Sequence, residues 1–152
     1  MIYHSLPDEL PTIEFLERWS KCKQLFLPRV NGNDIGVLPY RGTENLANGA
    51  FHIEEPQGTD IVDPATLQLI VVPGVAFDRH GARVGRGKGY YDRLLCRTSA
   101  MKIGVGYDFQ LLTEPISTEP HDQALDLIIT PTQMLRPELL HRDKRLNTGG
   151  CN

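Results

Sequence analysis

Gly85-Arg86-Gly87-Lys88-Gly89 interleaves three glycines with two cations, and Tyr90-Tyr91-Asp92-Arg93 follows directly. Glycine lets the backbone curl and approach an anion closely, because no Cβ intervenes. Curled backbone and the free N–H groups of a helix start aim donors at such an anion. Arg83, Arg86 and Lys88 add full charges; arginine grips two oxygens at once, whereas lysine acts as a point charge. The chemistry this predicts is phosphate binding. Asp92 is out of place in a pure anion site but fits one in which magnesium accompanies the phosphates. A solvated polar loop is the plain alternative. The loop is neither a Walker A motif, since Gly89 follows Lys88, nor the dinucleotide fingerprint, since its spacing is G-x-G-x-G.

The elements that must position this loop follow from periodicity. Leu67-Gln68-Leu69-Ile70-Val71-Val72 is an apolar run stopped by Pro73-Gly74, which predicts a strand buried on both faces. A helix is predicted from about Tyr90 to Arg97, with Tyr91 and Leu94-Leu95 facing inward. Earlier, Thr12 reads as the N-cap of a helix whose inward stripe is Phe15, Leu16 and Trp19. Gln24–Val30 and Ile35–Tyr40 read as strands flanking an Asn31-Gly32-Asn33-Asp34 turn. Lys102–Tyr107 and Leu127–Thr130 are two more strands, and the glycines of the first imply close approach of a neighbour or a ligand. Asp122 reads as a turn cap before the last strand. Strands alternating with helices predict an α/β fold, a layered α/β/α domain with a largely parallel central sheet. Ligands in such sheets gather beyond the carboxyl ends of the strands. One domain is expected over residues 1–136, with a polar, frayed tail over 137–152.

Composition narrows the function classes. The 152 residues suffice for one self-sufficient core, with 40% hydrophobic and 23% charged residues. A net charge of -3 argues against bulk electrostatic binding of nucleic acid. No apolar run has membrane-span length, and the first residues carry no secretory pattern. Cys22, Cys96 and Cys151 are scattered and odd in number, suggesting neither a disulfide framework nor a metal cluster. A cytoplasmic protein is expected.

Two longer words are more specific than any generic motif: Pro73-Gly74-Val75-Ala76-Phe77-Asp78, and Gly81-Ala82-Arg83 running on to Asp92-Arg93. Together they resemble the signature of the 5-formyltetrahydrofolate cyclo-ligase family. The likeness extends through Asp8-Glu9 with Thr12, the stretch Asn48–Pro56, and His121-Asp122 with Asp126, covering roughly residues 3–131. It implies an ATP-dependent ligase converting 5-formyltetrahydrofolate into 5,10-methenyltetrahydrofolate, with ADP and phosphate released. On that likeness Arg83, Val84, Gly85, Arg86, Gly87, Lys88, Gly89, Tyr90 and Tyr91 bind ATP. Lys88, Tyr90 and Arg83 are the catalytic candidates. His4, Glu9, Phe51, Arg86, Gly87, Lys88, Gly89 and Tyr90 are the folate-binding candidates, and Asp92 and Asp122 the magnesium ligands. The implied partners are a reduced folate and ATP, with no nucleic acid and no membrane, and the protein is expected as a monomer. Family members also carry an N-terminal helix with a lysine and an arginine that contact ATP, and this chain starts after it. A non-catalytic folate or nucleotide binder is therefore a second reading, and an enzyme acting on a sugar phosphate a third.

Overall fold

The computed structural model describes residues 1–49 and 52–137. Phe51 and almost all of the expected tail lie outside the described residues. The described chain has eleven strands and two short α-helices: α1 Ile13–Trp19 and α2 Tyr90–Leu95. Its centre is a four-stranded sheet in which β5 (Leu69–Val72), β8 (Met101–Val105) and β10 (Leu127–Ile129) are parallel. Strand β11 (Met134–Leu135) closes one edge antiparallel to β10. The α/β class expected from the alternation of strands and helices is what the chain adopts, with few helices. Among the described residues no helix is long and apolar enough to cross a membrane.

Strands β1 (Phe26–Asn31) and β2 (Asp34–Pro39) form a hairpin closed by Gly32-Asn33, where turn residues interrupt two apolar runs. The first residues splice this hairpin to the central sheet. Ile2 N–H donates to Phe26 O at 2.9 Å, and Val71 N–H donates to Met1 O at 2.9 Å. Because strand side chains alternate between faces, β5 feeds two different cores. Ile70 and Val72 pack with Phe77, Leu94, Leu95 and Ile128. Val71 packs with Ile2, Tyr3, Leu16 and Leu27, beneath α1.

Two details differ from the sequence reading. In α1 only Leu16 is buried; Phe15 is 43% and Trp19 37% exposed, and their rings stack on each other at 5.7 Å. A seven-residue helix on one neighbour presents a narrow stripe, and one leucine fills it. Thr12 occupies the N-cap position without capping: its hydroxyl donates to Tyr3 O at 2.8 Å and accepts Ser5 N–H at 3.1 Å. It ties the N-terminal segment to the helix instead. Cys22 is a free, exposed thiol.

The glycines of β8 and its extension are explained by a neighbour. A Cβ on Gly104 would lie 2.5 Å from Leu125 Cδ1 and 2.8 Å from the Phe77 ring, and one on Gly106 would lie 2.9 Å from the same ring. Phe77, on β6 (Ala76–Asp78), is fully buried there. Strand β6 pairs with β7 (Arg83–Val84) and with β9 (Leu111–Leu112), so the ring is also the joint between the small sheet and the central one.

Candidate functional site

The carboxyl end of β5 leads through Pro73-Gly74 to β6, and the hairpin into β7 delivers the glycine loop to the start of α2. That loop forms one wall of a cleft of about 880 Å³. Tyr3, His4, Leu6 and Glu9 line it from the N-terminal segment, and Ile53 and Glu55 from the neighbourhood of β4 (Glu54–Pro56). Val84, Gly85, Arg86, Gly87, Lys88, Gly89, Tyr90 and Tyr91 line it from the loop and helix, together with Arg83, Asp92 and Asp122. All the sequence-predicted site residues within the described chain therefore border one cavity. Phe51 falls outside the described residues.

The loop backbone is shaped for close approach. Gly87 and Gly89 have φ of +79° and +65°, and a Cβ on Gly87 would meet nothing within 4 Å. L side chains avoid this region, so only glycine keeps the turn unstrained and its amides open to the cleft. With six residues, α2 aligns few peptides, and anion binding here rests on amides and cations more than on a helix dipole.

The cations differ in what already holds them. Arg83 is buried, its side chain 5% exposed, and its Nη2 donates to both oxygens of Asp92 at 3.1 and 3.0 Å. It also sits 5.7 Å over the Tyr91 ring. Asp92 further accepts Gln123 N–H at 3.3 Å, so this carboxylate braces the Arg83 wall. Arg86 donates from Nη2 to both oxygens of Asp8 at 2.7 Å, and its Nε lies 3.6 Å from Glu9 Oε1. The Asp8 hydrogen bond raises the Arg86 guanidinium above its ordinary range and lowers the Asp8 carboxyl. Arg93 donates to Lys88 O at 2.9 Å and to Asn33 O, and stacks on Tyr90. The Lys88 ammonium alone, among the loop's cationic groups, has neither hydrogen bond nor ion pair to the described residues.

Two buried polar atoms in this wall lack partners, Arg83 Nε and Tyr91 Oη. An unpaired buried donor is costly, so such atoms mark where a ligand or water supplies the missing bond. Burial, and next the Glu9 carboxylate, push the Tyr91 phenol far above the usual tyrosine range. The same causes act on Tyr3. Both phenols stay protonated; Tyr3 Oη donates to Leu10 O at 3.0 Å, whereas Tyr91 Oη finds no acceptor among the described residues. Tyr90, which also lines the cleft, donates from its hydroxyl to Gly32 O at 3.3 Å. Glu9 Oε2 accepts Leu6 N–H at 2.9 Å, and His4 Nε2 lies 3.3 Å from Glu54 Oε2. Asp122 Oδ2 accepts Glu119 N–H at 2.7 Å, the turn-capping geometry read from its position.

Three residues that lie in or beside the stretches carrying the family likeness were given no role by sequence reasoning, yet they shape the site. Asp8 engages Arg86. Gln110 is buried and clamps the loop after β5: its amide donates to Gly74 O at 2.9 Å and Val75 O at 3.1 Å while accepting Tyr107 N–H at 2.8 Å. Asp78 accepts His80 N–H, Ala82 N–H and Ile116 N–H, holding the β6–β7 turn to the segment that carries Asp122. A buried polar residue leaves no periodic trace, so only its presence among apolar neighbours could have flagged it.

The same architecture recurs in solved structures. The NMR structure of 5,10-methenyltetrahydrofolate synthetase from Aquifex aeolicus is 38% identical and matches with a TM-score of 0.79, covering 89% of this chain and 69% of that one. The Escherichia coli 5-formyltetrahydrofolate cyclo-ligase is 30% identical over 142 residues, covering 88% of this chain and 78% of the relative. The probable 5-formyltetrahydrofolate cyclo-ligase of Schizosaccharomyces pombe is 34% identical over 131 residues; the match takes in 75% of this chain but only 64% of that protein's length. With a family model matching residues 1–131 and the signature loop forming the wall of its main cleft, the chain belongs to the 5-formyltetrahydrofolate cyclo-ligase family.

Proposed function

We propose that the chain closes the ring of 5-formyltetrahydrofolate to give 5,10-methenyltetrahydrofolate, consuming ATP and releasing ADP and phosphate. The observation that carries this reading is the cleft itself, which sets the glycine loop and its unpaired Lys88 against the His4–Glu9 segment. An N-formyl amide is a poor electrophile. Transfer of the γ-phosphoryl to the formyl oxygen turns that oxygen into a leaving group. The second folate nitrogen then attacks the formyl carbon, the C–O bond breaks, and phosphate departs with the oxygen.

Phosphoryl transfer is catalysed mainly by positioning and by stabilising charge on the phosphoryl oxygens. Lys88 and the Gly85–Gly89 amides do this. Arg83, held rigid by Asp92, offers its unpaired Nε, and Tyr91 its unpaired hydroxyl. Tyr90 lines the cleft, and its phenol orients the formyl group once it exchanges Gly32 O for the substrate. Glu9 and His4 take the pterin, with Glu9 oriented by the Leu6 amide. Among the described residues no three His, Cys, Asp or Glu side chains cluster to hold a metal. Asp92 and Asp122 border the same cleft, and two carboxylates suit magnesium, which keeps water and phosphate oxygens as its other ligands. Asp92 and Asp122 would hold it, and its charge would offset that of the phosphates.

The test is spectrophotometric. Purified chain mixed with 5-formyltetrahydrofolate and Mg-ATP is expected to produce the methenyl chromophore, and to produce none when ATP is omitted. No product in the complete mixture overturns the catalytic reading; folate binding retained without turnover would establish the binder instead.

A further inference from the structure

We propose that Asp8 is a tethered competitor of the nucleotide: it occupies Arg86 in the free protein and is displaced when the ligand's phosphates take the guanidinium. The inference rests on the functional reading above and adds a residue that sets affinity. Arg86 sits in the glycine loop, yet its Nη2 lies 2.7 Å from both Asp8 oxygens, a fork that phosphate oxygens would occupy in the same way. The two residues are 78 positions apart in sequence, and the pair joins the N-terminal segment to the cleft-lining loop.

Two features make this contact exchangeable. The Asp8 and Arg86 side chains are 67% and 48% exposed, unlike the buried Arg83–Asp92 pair. Exposed pairs contribute little, so a polyanion outcompetes a single carboxylate. Asp8 also stands at the tip of a closed turn: Glu9 N–H donates to Leu6 O at 3.0 Å, and Leu6 N–H to Glu9 Oε2 at 2.9 Å. Its side chain can therefore leave Arg86 while the turn keeps Glu9 in place. The groups facing Arg86 are acidic on both sides of that tip, Asp8 and Glu9, so an arriving phosphate meets repulsion until Asp8 swings away.

The experiment is calorimetric titration of the full chain with Mg-ATP and, separately, with 5-formyltetrahydrofolate. Asp8→Asn is expected to bind Mg-ATP about two- to fivefold more tightly than wild type and to bind the folate with unchanged affinity. In an Arg86→Ala background the same substitution is expected to give no gain. Equal or weaker nucleotide binding by Asp8→Asn overturns the competitor role alone. A gain that persists without Arg86 also overturns it, since the effect would then be general charge. No nucleotide binding by wild type or variant overturns the functional reading and the competitor role with it.

Discussion

Replacing Asp78 should loosen one specific segment before it unfolds the domain. The carboxylate is 2% exposed and does two jobs. Oδ1 accepts the His80 and Ala82 amides at 2.9 Å each, which shapes the β6–β7 turn. Oδ2 accepts the Ile116 amide at 2.8 Å, which pins the strap running on to Asp122. Asp78→Asn can keep its carbonyl oxygen on the turn, but its amide group then confronts the Ile116 N–H, donor against donor. Losing one bond to a charged acceptor costs about 2 kcal/mol. Asp78→Ala strands one buried and two part-buried N–H groups and should cost roughly 3 kcal/mol. At about 2–4 °C per kcal/mol for a domain of this size, the asparagine variant should melt roughly 4–8 °C lower. Equilibrium urea unfolding gives the totals, and amide exchange locates them: in Asp78→Asn the Ile116 amide should exchange much faster, while Ala82 keeps most of its protection. If Ile116 exchanges at the wild-type rate, or the two variants lose the same stability, the division of labour between the oxygens is wrong.

Four further outcomes follow from the same coordinates. Lys88→Ala should lower turnover by about a hundredfold through loss of charge stabilisation, leaving folate affinity in a direct titration nearly unchanged; equal loss of both would refute its role. Gly104→Ala should cost about 1–3 kcal/mol, because the new methyl overlaps Leu125 and Phe77 in a packed core, and a wild-type melting temperature would contradict that. Leu16→Ala should cost about 2–5 kcal/mol, whereas Phe15→Ala, at an exposed position, should change unfolding midpoints far less. Hydrogen bonds from Thr130 and then Thr132 hold the Asp108 carboxyl below its usual range. Its contribution is thus fully present above the unfolded value near 3.8 and is lost as pH falls through the lower folded value. Wild type and Asp108→Asn should differ in urea midpoint near neutrality and converge in strong acid.

Much of the fold was legible because it is written in local periodicity. The run ending at Val72 became β5, the turn at Gly32-Asn33 became a hairpin loop, and Tyr90 opened a helix, though one ending at Leu95. Local pattern failed where burial depended on what stood opposite. Phe15 and Trp19 have helical spacing with Leu16, but the facing surface admits only Leu16. The glycines of β8 promised a close neighbour without naming it; Phe77, from a different sheet, is that neighbour.

The site divides in the same way. Residue types and spacing alone determined the glycine loop, its cations and its likeness to one family, because backbone freedom and charge are properties of the residues themselves. Only the tertiary structure decided which cation is free. Arg83 is committed to Asp92 and Arg86 to Asp8, while the Lys88 ammonium has no partner among the described residues. Ion pairing depends on distance in space, and Asp8 comes within 2.7 Å of a residue 78 positions away only because the Met1–Tyr3 segment is hydrogen-bonded to the central sheet and the hairpin.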